Sequence, residues 1–227
     1  MRTVIVGGVA GGMSAATRLR RLDESMEIVV IERGPFVSFA NCGLPYHVGG
    51  VIQDRDALLL QTPDSLQARF AIDVRVNTEA SSIDTEARTV LITDAITGAS
   101  STLEYDELVL SPGSRLRSTI DTGDVAAFPL RTIDEMDAII AALERVEQSG
   151  RRPRVAVVGA GFIGLEAVEN LHARGAEVTI VQASPQVLGP LDIEMTAPIL
   201  TALRDAGIDV RLSTTVDGGA GDGLILS

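Results

Sequence analysis

The 227-residue chain has one cysteine, Cys42, no tryptophan and only 3% aromatic residues. A single thiol closes no internal disulfide, so a stapled secreted scaffold is excluded and a reducing, cytoplasmic setting is expected. Scarce aromatics leave no stacking platform for bases. Basic residues are few as well: 19 Lys and Arg stand against 31 Asp and Glu, for a formal net charge of −12. Such a surface repels phosphates, and no nucleic-acid partner is expected. Glycines interrupt each apolar run before it reaches bilayer length, so no membrane association is expected. The opening residues lack the long apolar stretch of a signal peptide and read as a strand. His47 and His172 are isolated and read as structural, and no metal site is expected.

Hydrophobic residues make up 45% of the chain and mean hydropathy is +0.25, which excludes a disordered chain and suits strands buried on both faces. The organising feature is an internal repeat. Thr3-Val4-Ile5-Val6-Gly7-Gly8-Val9-Ala10-Gly11-Gly12 is echoed by Arg154-Val155-Ala156-Val157-Val158-Gly159-Ala160-Gly161-Phe162-Ile163-Gly164. Each copy follows a β-branched strand, precedes a helical pattern (Met13 to Leu22; Leu165 to Arg174) and leads to a second strand (Glu27 to Glu32; Glu177 to Gln182). Two βαβ units of this kind predict an α/β fold with two Rossmann-like dinucleotide-binding domains.

Between the copies, Val74 to Val76, Thr89 to Ile92 and Glu107 to Leu110 read as strands, with turns at Asp84, Asp94 and Gly98. Ile133 to Val146 carries helical spacing, and Asp217 to Gly223 reads as a glycine-rich turn. The change of domain is placed after Ser111-Pro112-Gly113, giving residues 1–113 and 114–227.

A strand that passes through a glycine turn into a helix presents backbone amides and a helix N-terminus to a pyrophosphate. The second copy satisfies G-x-G-x-x-G with Gly159, Gly161 and Gly164, flanked by Phe162 and Ile163. The first keeps Gly7, Gly8, Ala10 and Gly12 but places Val9 at the middle position, where a Cβ crowds the phosphate. Glu32, at the end of the second strand, is positioned to accept hydrogen bonds from a ribose, or is a surface charge. Its counterpart, Gln182, neither repels nor grips a 2′-phosphate, so NADH and NADPH both stay open.

Cys42 lies in Ser38-Phe39-Ala40-Asn41-Cys42-Gly43-Leu44-Pro45-Tyr46, soon after the first unit. Pro45 suits the first turn of a short helix, which places Cys42 at or just before its start, where a thiolate is favoured. The alternative is a small buried hydrophobe. This segment, the Gly7–Gly12 turn with its Val9, Ser111-Pro112-Gly113 and Leu130-Arg131-Thr132 together resemble the flavin-dependent pyridine nucleotide-disulfide oxidoreductases, in particular the coenzyme A-disulfide reductase branch.

The resemblance implies FAD bound by the first domain and NAD(P)H by the second. Cys42 would be the redox centre, carried as a mixed disulfide with coenzyme A. Besides the turn residues it implies cofactor contacts at Glu32, Arg33, Asn41, Ala80, Ser111, Pro112, Gly113, Arg131, Glu166 and Gln182. Contacts to coenzyme A fall at Ser14, Arg18, Arg21, Ser38 and Asn41, although helix arginines are also commonly solvated. With no second cysteine in this sequence, the sulfur pairs with a small thiol or cycles through a sulfenic acid. The first makes a disulfide or persulfide reductase, the second an NADH oxidase. Members of the family are longer and homodimeric. The segment completing their FAD domain is expected to lie beyond Ser227, so weak FAD retention and a nucleotide-binding fragment without full turnover are also expected.

Overall fold

The computed structural model describes residues 1–116, 120–221 and 223–227. They form two compact units, one of Met1–Ala40 with Asp56–Arg115, the other of Asn41–Arg55 with Leu116–Ser227.

The first unit is built on a four-stranded sheet, in the order β3-β2-β1-β7, from β1 (Arg2–Val6), β2 (Glu27–Ile31), β3 (Ile72–Arg75) and β7 (Glu107–Leu110). All its pairings are parallel, with Val4 opposite Val29 and Leu108. Val4, Ile5, Val29, Val30 and Ile31 are at most 1% exposed, so the continuous β-branched runs are covered on both faces. Helix α1 (Ala10–Leu22) crosses from β1 to β2 and buries Met13 and Ala16 against Ile5, Ile28, Val30 and Ile72. The opposite face packs on an antiparallel three-stranded sheet of β4 (Thr78–Asp84), β5 (Thr89–Asp94) and β6 (Ser100–Glu104), through Val90, Ile92 and Leu103. Between β2 and β3 lies α3 (Pro63–Phe70), which is capped by Thr62 in a reciprocal box with Ser65.

The second unit repeats the plan. Strands β8 (Arg154–Val158), β9 (Glu177–Gln182) and β10 (Asp209–Leu212) make a parallel sheet in the order β10-β9-β8. Helix α5 (Phe162–Ala173) joins β8 to β9, and α6 (Ile193–Asp205) precedes β10. Before β8 comes α4 (Ile133–Gln148), whose Thr132 and Glu135 form a second capping box. Short α2 (Leu44–Val48) packs on α4 and α5. The segment read as a glycine turn is instead a strand, β11 (Val216–Ala220), paired with β12 (Gly223–Leu226); Asp222 lies outside the described residues. Its glycines serve packing: a Cβ on Gly219 would lie 1.9 Å from the Thr122 carbonyl oxygen.

Candidate functional site

The two glycine turns have nearly the same geometry. Gly7 and Gly159 adopt φ of +103° and +104°, a region that a side chain makes costly. Their amides donate to Ile31 and Val181 at 2.8 Å, which ties each turn to the end of the neighbouring strand. A Cβ on Gly12 or Gly164 would fall 1.8 or 1.9 Å from the Gly7 or Gly159 carbonyl, so helix and turn close only around glycine. In both copies the side chain ending the second strand braces the turn. Glu32 Oε2 accepts from the Gly8 amide and Gln182 Oε1 from the Ala160 amide, each at 2.8 Å. Glu32 Oε1 also accepts from the Gly34 amide at 2.8 Å.

The copies differ where a phosphate would approach. Around Gly161 nothing stands within 4 Å of an added Cβ, and Phe162 and Ile163 are 62% and 60% exposed. This is an open cradle at a helix N-terminus, and it fits a pyrophosphate. At the first turn Val9 is the residue before α1, with φ −105° and ψ −119°, and Ala10 and Gly11 are exposed. Ser111 closes this turn from the side: its amide donates to Val6 at 2.7 Å and its carbonyl lies where a Gly7 Cβ would be. Gly7, Gly8, Gly12, Glu32 and Ser111 are thus brought together, and they too fit a dinucleotide.

Other residues expected at the cofactor lie further out. Arg33 is 70% exposed and 3.9 Å from Glu79, while Ala80 packs beside the Val4–Val29–Ile31 core. Pro112 and Gly113 follow Ser111 on the surface. In the second unit, Arg131 donates its amide to Glu135 Oε2 at 2.8 Å beside the start of α4. Glu166 lies half-buried on α5, its carbonyl accepting from Asn170.

A cleft of about 400 Å³ opens in the first unit beside the start of α1. Val9, Ser14 and Thr17 line one side, Ser38 and Phe39 another, and Gln61 with Arg69 and Phe70 a third. Ser38 takes a left-handed φ of 49°, fixed because its amide donates to Gly8 at 2.9 Å and its carbonyl accepts from Leu60 at 3.1 Å. Two of the residues expected at coenzyme A, Ser14 and Ser38, therefore share this cleft. Arg18 and Arg21 are exposed on α1 and do not line it.

Sequence reasoning missed the cation that does, Arg69, whose guanidinium lies 5.3 Å from the Phe70 ring centroid. It missed Gln61 too. No local signal marks them, because α3 reaches the cleft only through the fold. Arg20, also unforeseen, holds that wall. Its Nε and Nη2 donate to the Phe70 and Ala71 carbonyls at 2.6 and 2.9 Å, at the C-terminus of α3.

In the second unit, Asn41 and Cys42 are exposed in a 3-10 turn, Asn41–Gly43, immediately before α2, with Pro45 in the first turn of that helix as its spacing predicts. His47 Nδ1 donates to the Ile52 carbonyl at 2.6 Å. Among the described residues no group of three or more His, Cys, Asp or Glu is placed to hold a metal ion, and no helix is long and apolar enough to cross a membrane.

Two nucleotide cradles on parallel sheets, in one chain with an exposed thiol, define a class. Residues 1–225 match the model of the pyridine nucleotide-disulphide oxidoreductases, and the chain belongs to that family. FAD and NAD(P)H are the cofactors of this family, as the sequence implies. Among individual relatives, coenzyme A disulfide reductase of Staphylococcus aureus (strain JH9) is 36% identical over 216 residues, 95% of this chain and 48% of the relative. The chain thus spans about half the length of the curated relatives it matches. Reduced Bacillus anthracis CoADR-RHD superimposes with a TM-score of 0.92 at 40% identity, covering 100% of this chain and 41% of that one. A NAD-dependent persulfide reductase from A. fulgidus gives 0.91 at 33% identity, over 100% and 43%. The water-forming NADH oxidase from Lactobacillus brevis gives 0.88 at 28%, over 100% and 50%.

Proposed function

We propose that this chain supplies the two nucleotide sites and the redox sulfur of an FAD-dependent NAD(P)H:disulfide oxidoreductase acting on coenzyme A disulfide or a related persulfide. The observation that carries this reading is the exposed Cys42, on the turn before α2, in a chain whose two glycine turns share their φ and their close approach of helix to turn. Residues 1–113 take FAD at the Gly7–Gly12 turn, and residues 114–227 take NAD(P)H at the Gly159–Gly164 turn. Bound at the first turn, FAD would supply the two-electron relay between NAD(P)H and sulfur.

The chain's own residues do the rest. The Gly7–Gly12 turn, braced by Glu32 at its Gly8 amide, leads into the N-terminus of α1, which faces one pyrophosphate; the Gly161 cradle faces the other. Ser14, Ser38, Gln61 and Arg69 offer hydroxyl, amide and guanidinium groups to the phosphates and polar arm of coenzyme A. The Cys42 thiolate attacks one sulfur of the disulfide, forming a mixed disulfide and expelling one coenzyme A thiolate. Two electrons and a proton then release the second coenzyme A thiol and restore Cys42. The net reaction converts one NAD(P)H, one proton and one disulfide into NAD(P)+ and two thiols, the proton being taken up by the expelled thiolate. This chemistry belongs in a reducing, cytoplasmic compartment, and the whole protein works as a homodimer.

Anaerobic NADH consumption driven by coenzyme A disulfide, and lost in Cys42→Ser, tests the reading. A second reading, an NADH oxidase cycling Cys42 through a sulfenic acid, is favoured by the likeness to the L. brevis enzyme. It requires NADH consumption with oxygen as sole acceptor, and a sulfenic acid in place of a coenzyme A adduct in the mass spectrum.

A further inference from the structure

The turn that carries Cys42 runs directly into α2, a helix of only five residues. A helix so short has no stability of its own in water, so its placement in the second unit comes from what grips its far end. Two neighbours on α5 and just past it do so. Gly49 packs so tightly that a Cβ there would lie 2.5 Å from Asn170 Oδ1 and 3.0 Å from Asn170 Cα. Asn170, only 2% exposed, is fixed by its own bond from Nδ2 to the Glu166 carbonyl at 2.8 Å. One turn on, Arg174 Nη1 donates to the Val48 carbonyl at 3.1 Å. Its Nε and Nη2 donate to the Glu147 carboxylate at 2.9 and 3.0 Å.

The Val48 carbonyl is one of the orphan acceptors that a helix leaves at its C-terminus, where a cation is the natural complement. The guanidinium is 19% exposed and engages two elements at once with a rigid fork of donors. We propose that Arg174, clamped by Glu147 at the end of α4, is a positioning residue for Cys42. By holding the C-terminal end of α2 it sets where the preceding turn presents its sulfur. The functional meaning of this clamp rests on the redox reading of Cys42.

The test uses Cys42 itself as the reporter. Bimane is attached to this sulfur and its anisotropy recorded, hydrogen exchange is followed over residues 44–50, and the unlabelled thiol is timed as it forms its adduct with coenzyme A disulfide. In Arg174→Ala the anisotropy is expected to fall, exchange to quicken about tenfold and adduct formation to slow about tenfold, the scale of one charge-assisted hydrogen bond. Val178→Ala, a core truncation in β9, lowers the melting temperature and leaves all three readouts at wild-type values. Wild-type readouts in Arg174→Ala, or equal shifts in Val178→Ala, would overturn the proposal. Its failure is distinct from that of the redox reading: persistent disulfide reduction by Cys42→Ser removes the latter, whereas bimane anisotropy involves no electron transfer and judges the clamp alone.

Discussion

Glu32 Oε2 accepts a hydrogen bond from the Gly8 amide at 2.8 Å, so the carboxylate expected to meet a ribose also shapes the turn that would meet the pyrophosphate. Its other oxygen takes the Gly34 amide at the same distance. Glu32→Ala removes both acceptors and is expected to cost the first unit about 1–2 kcal/mol, because the site is only partly buried. Urea denaturation checks the stability, and FAD titration checks the accompanying loss of affinity.

The glycines of the second turn make a sharper contrast. Gly164→Ala forces a Cβ to within 1.9 Å of the Gly159 carbonyl and is expected to destabilise by at least about 3 kcal/mol. Gly161→Ala meets no atom within 4 Å and keeps an ordinary φ of −79°, so stability should hold or rise by roughly 0.5 kcal/mol. NADH affinity should nevertheless drop about tenfold or more, since the methyl occupies the phosphate approach. Thermal melts beside NADH fluorescence titrations separate the two outcomes.

Much of this is legible in the residues because the signals are local. A β-branched run, a glycine turn and a helical period fall next to one another in each copy, and Thr132 with Glu135 marks the start of α4 directly. What is hidden is hidden for physical reasons. Strand β6 buries only Leu103 of its five residues, so no alternation betrays it. In β11, Gly218 and Gly219 mimic a turn, yet Gly219 is there to let the Thr122 backbone come close. Helix α6 carries Pro198 inside it and buries only Thr196, which blurs its apolar stripe. Arg69 on α3 and Gln61 just before its cap enter the cleft through tertiary packing, which no window of sequence reports.

Gln182 is expected to set how the second cradle treats a ribose phosphate. Its Oε1 holds the Ala160 amide and its Nε2 reaches the Ser184 hydroxyl, so the side chain already lies along the turn. Gln182→Glu keeps an acceptor for Ala160 and adds a negative charge. It is expected to shift preference toward NADH over NADPH by about tenfold, through repulsion of the 2′-phosphate. The ratio of the two dissociation constants, rather than either alone, is the measurement.

Acid, not base, should release the grip on α2. The Glu147 carboxyl is held below its ordinary range, chiefly by the hydrogen bond from Arg174. Arg174 is raised in turn by its bond to Glu147, with Glu144 adding to the field, and stays charged throughout the accessible range. A carboxyl lowered by folding contributes stability that is present above its unfolded value, roughly 4.3, and is lost as pH falls through the lowered folded value. Glu147 is 36% exposed, so solvent screens the pair and keeps the effect modest. Bimane anisotropy at Cys42 should therefore stay flat from about pH 8 to about pH 5 and decline only at pH values below the unfolded carboxyl value of roughly 4.3. Asp94, lowered by the Thr97 and Ile96 amides, loses its own contribution over the same acid range, but in the other unit. Glu147→Gln separates the two: it should abolish the acid step at Cys42 while leaving the acid destabilisation of the first unit unchanged.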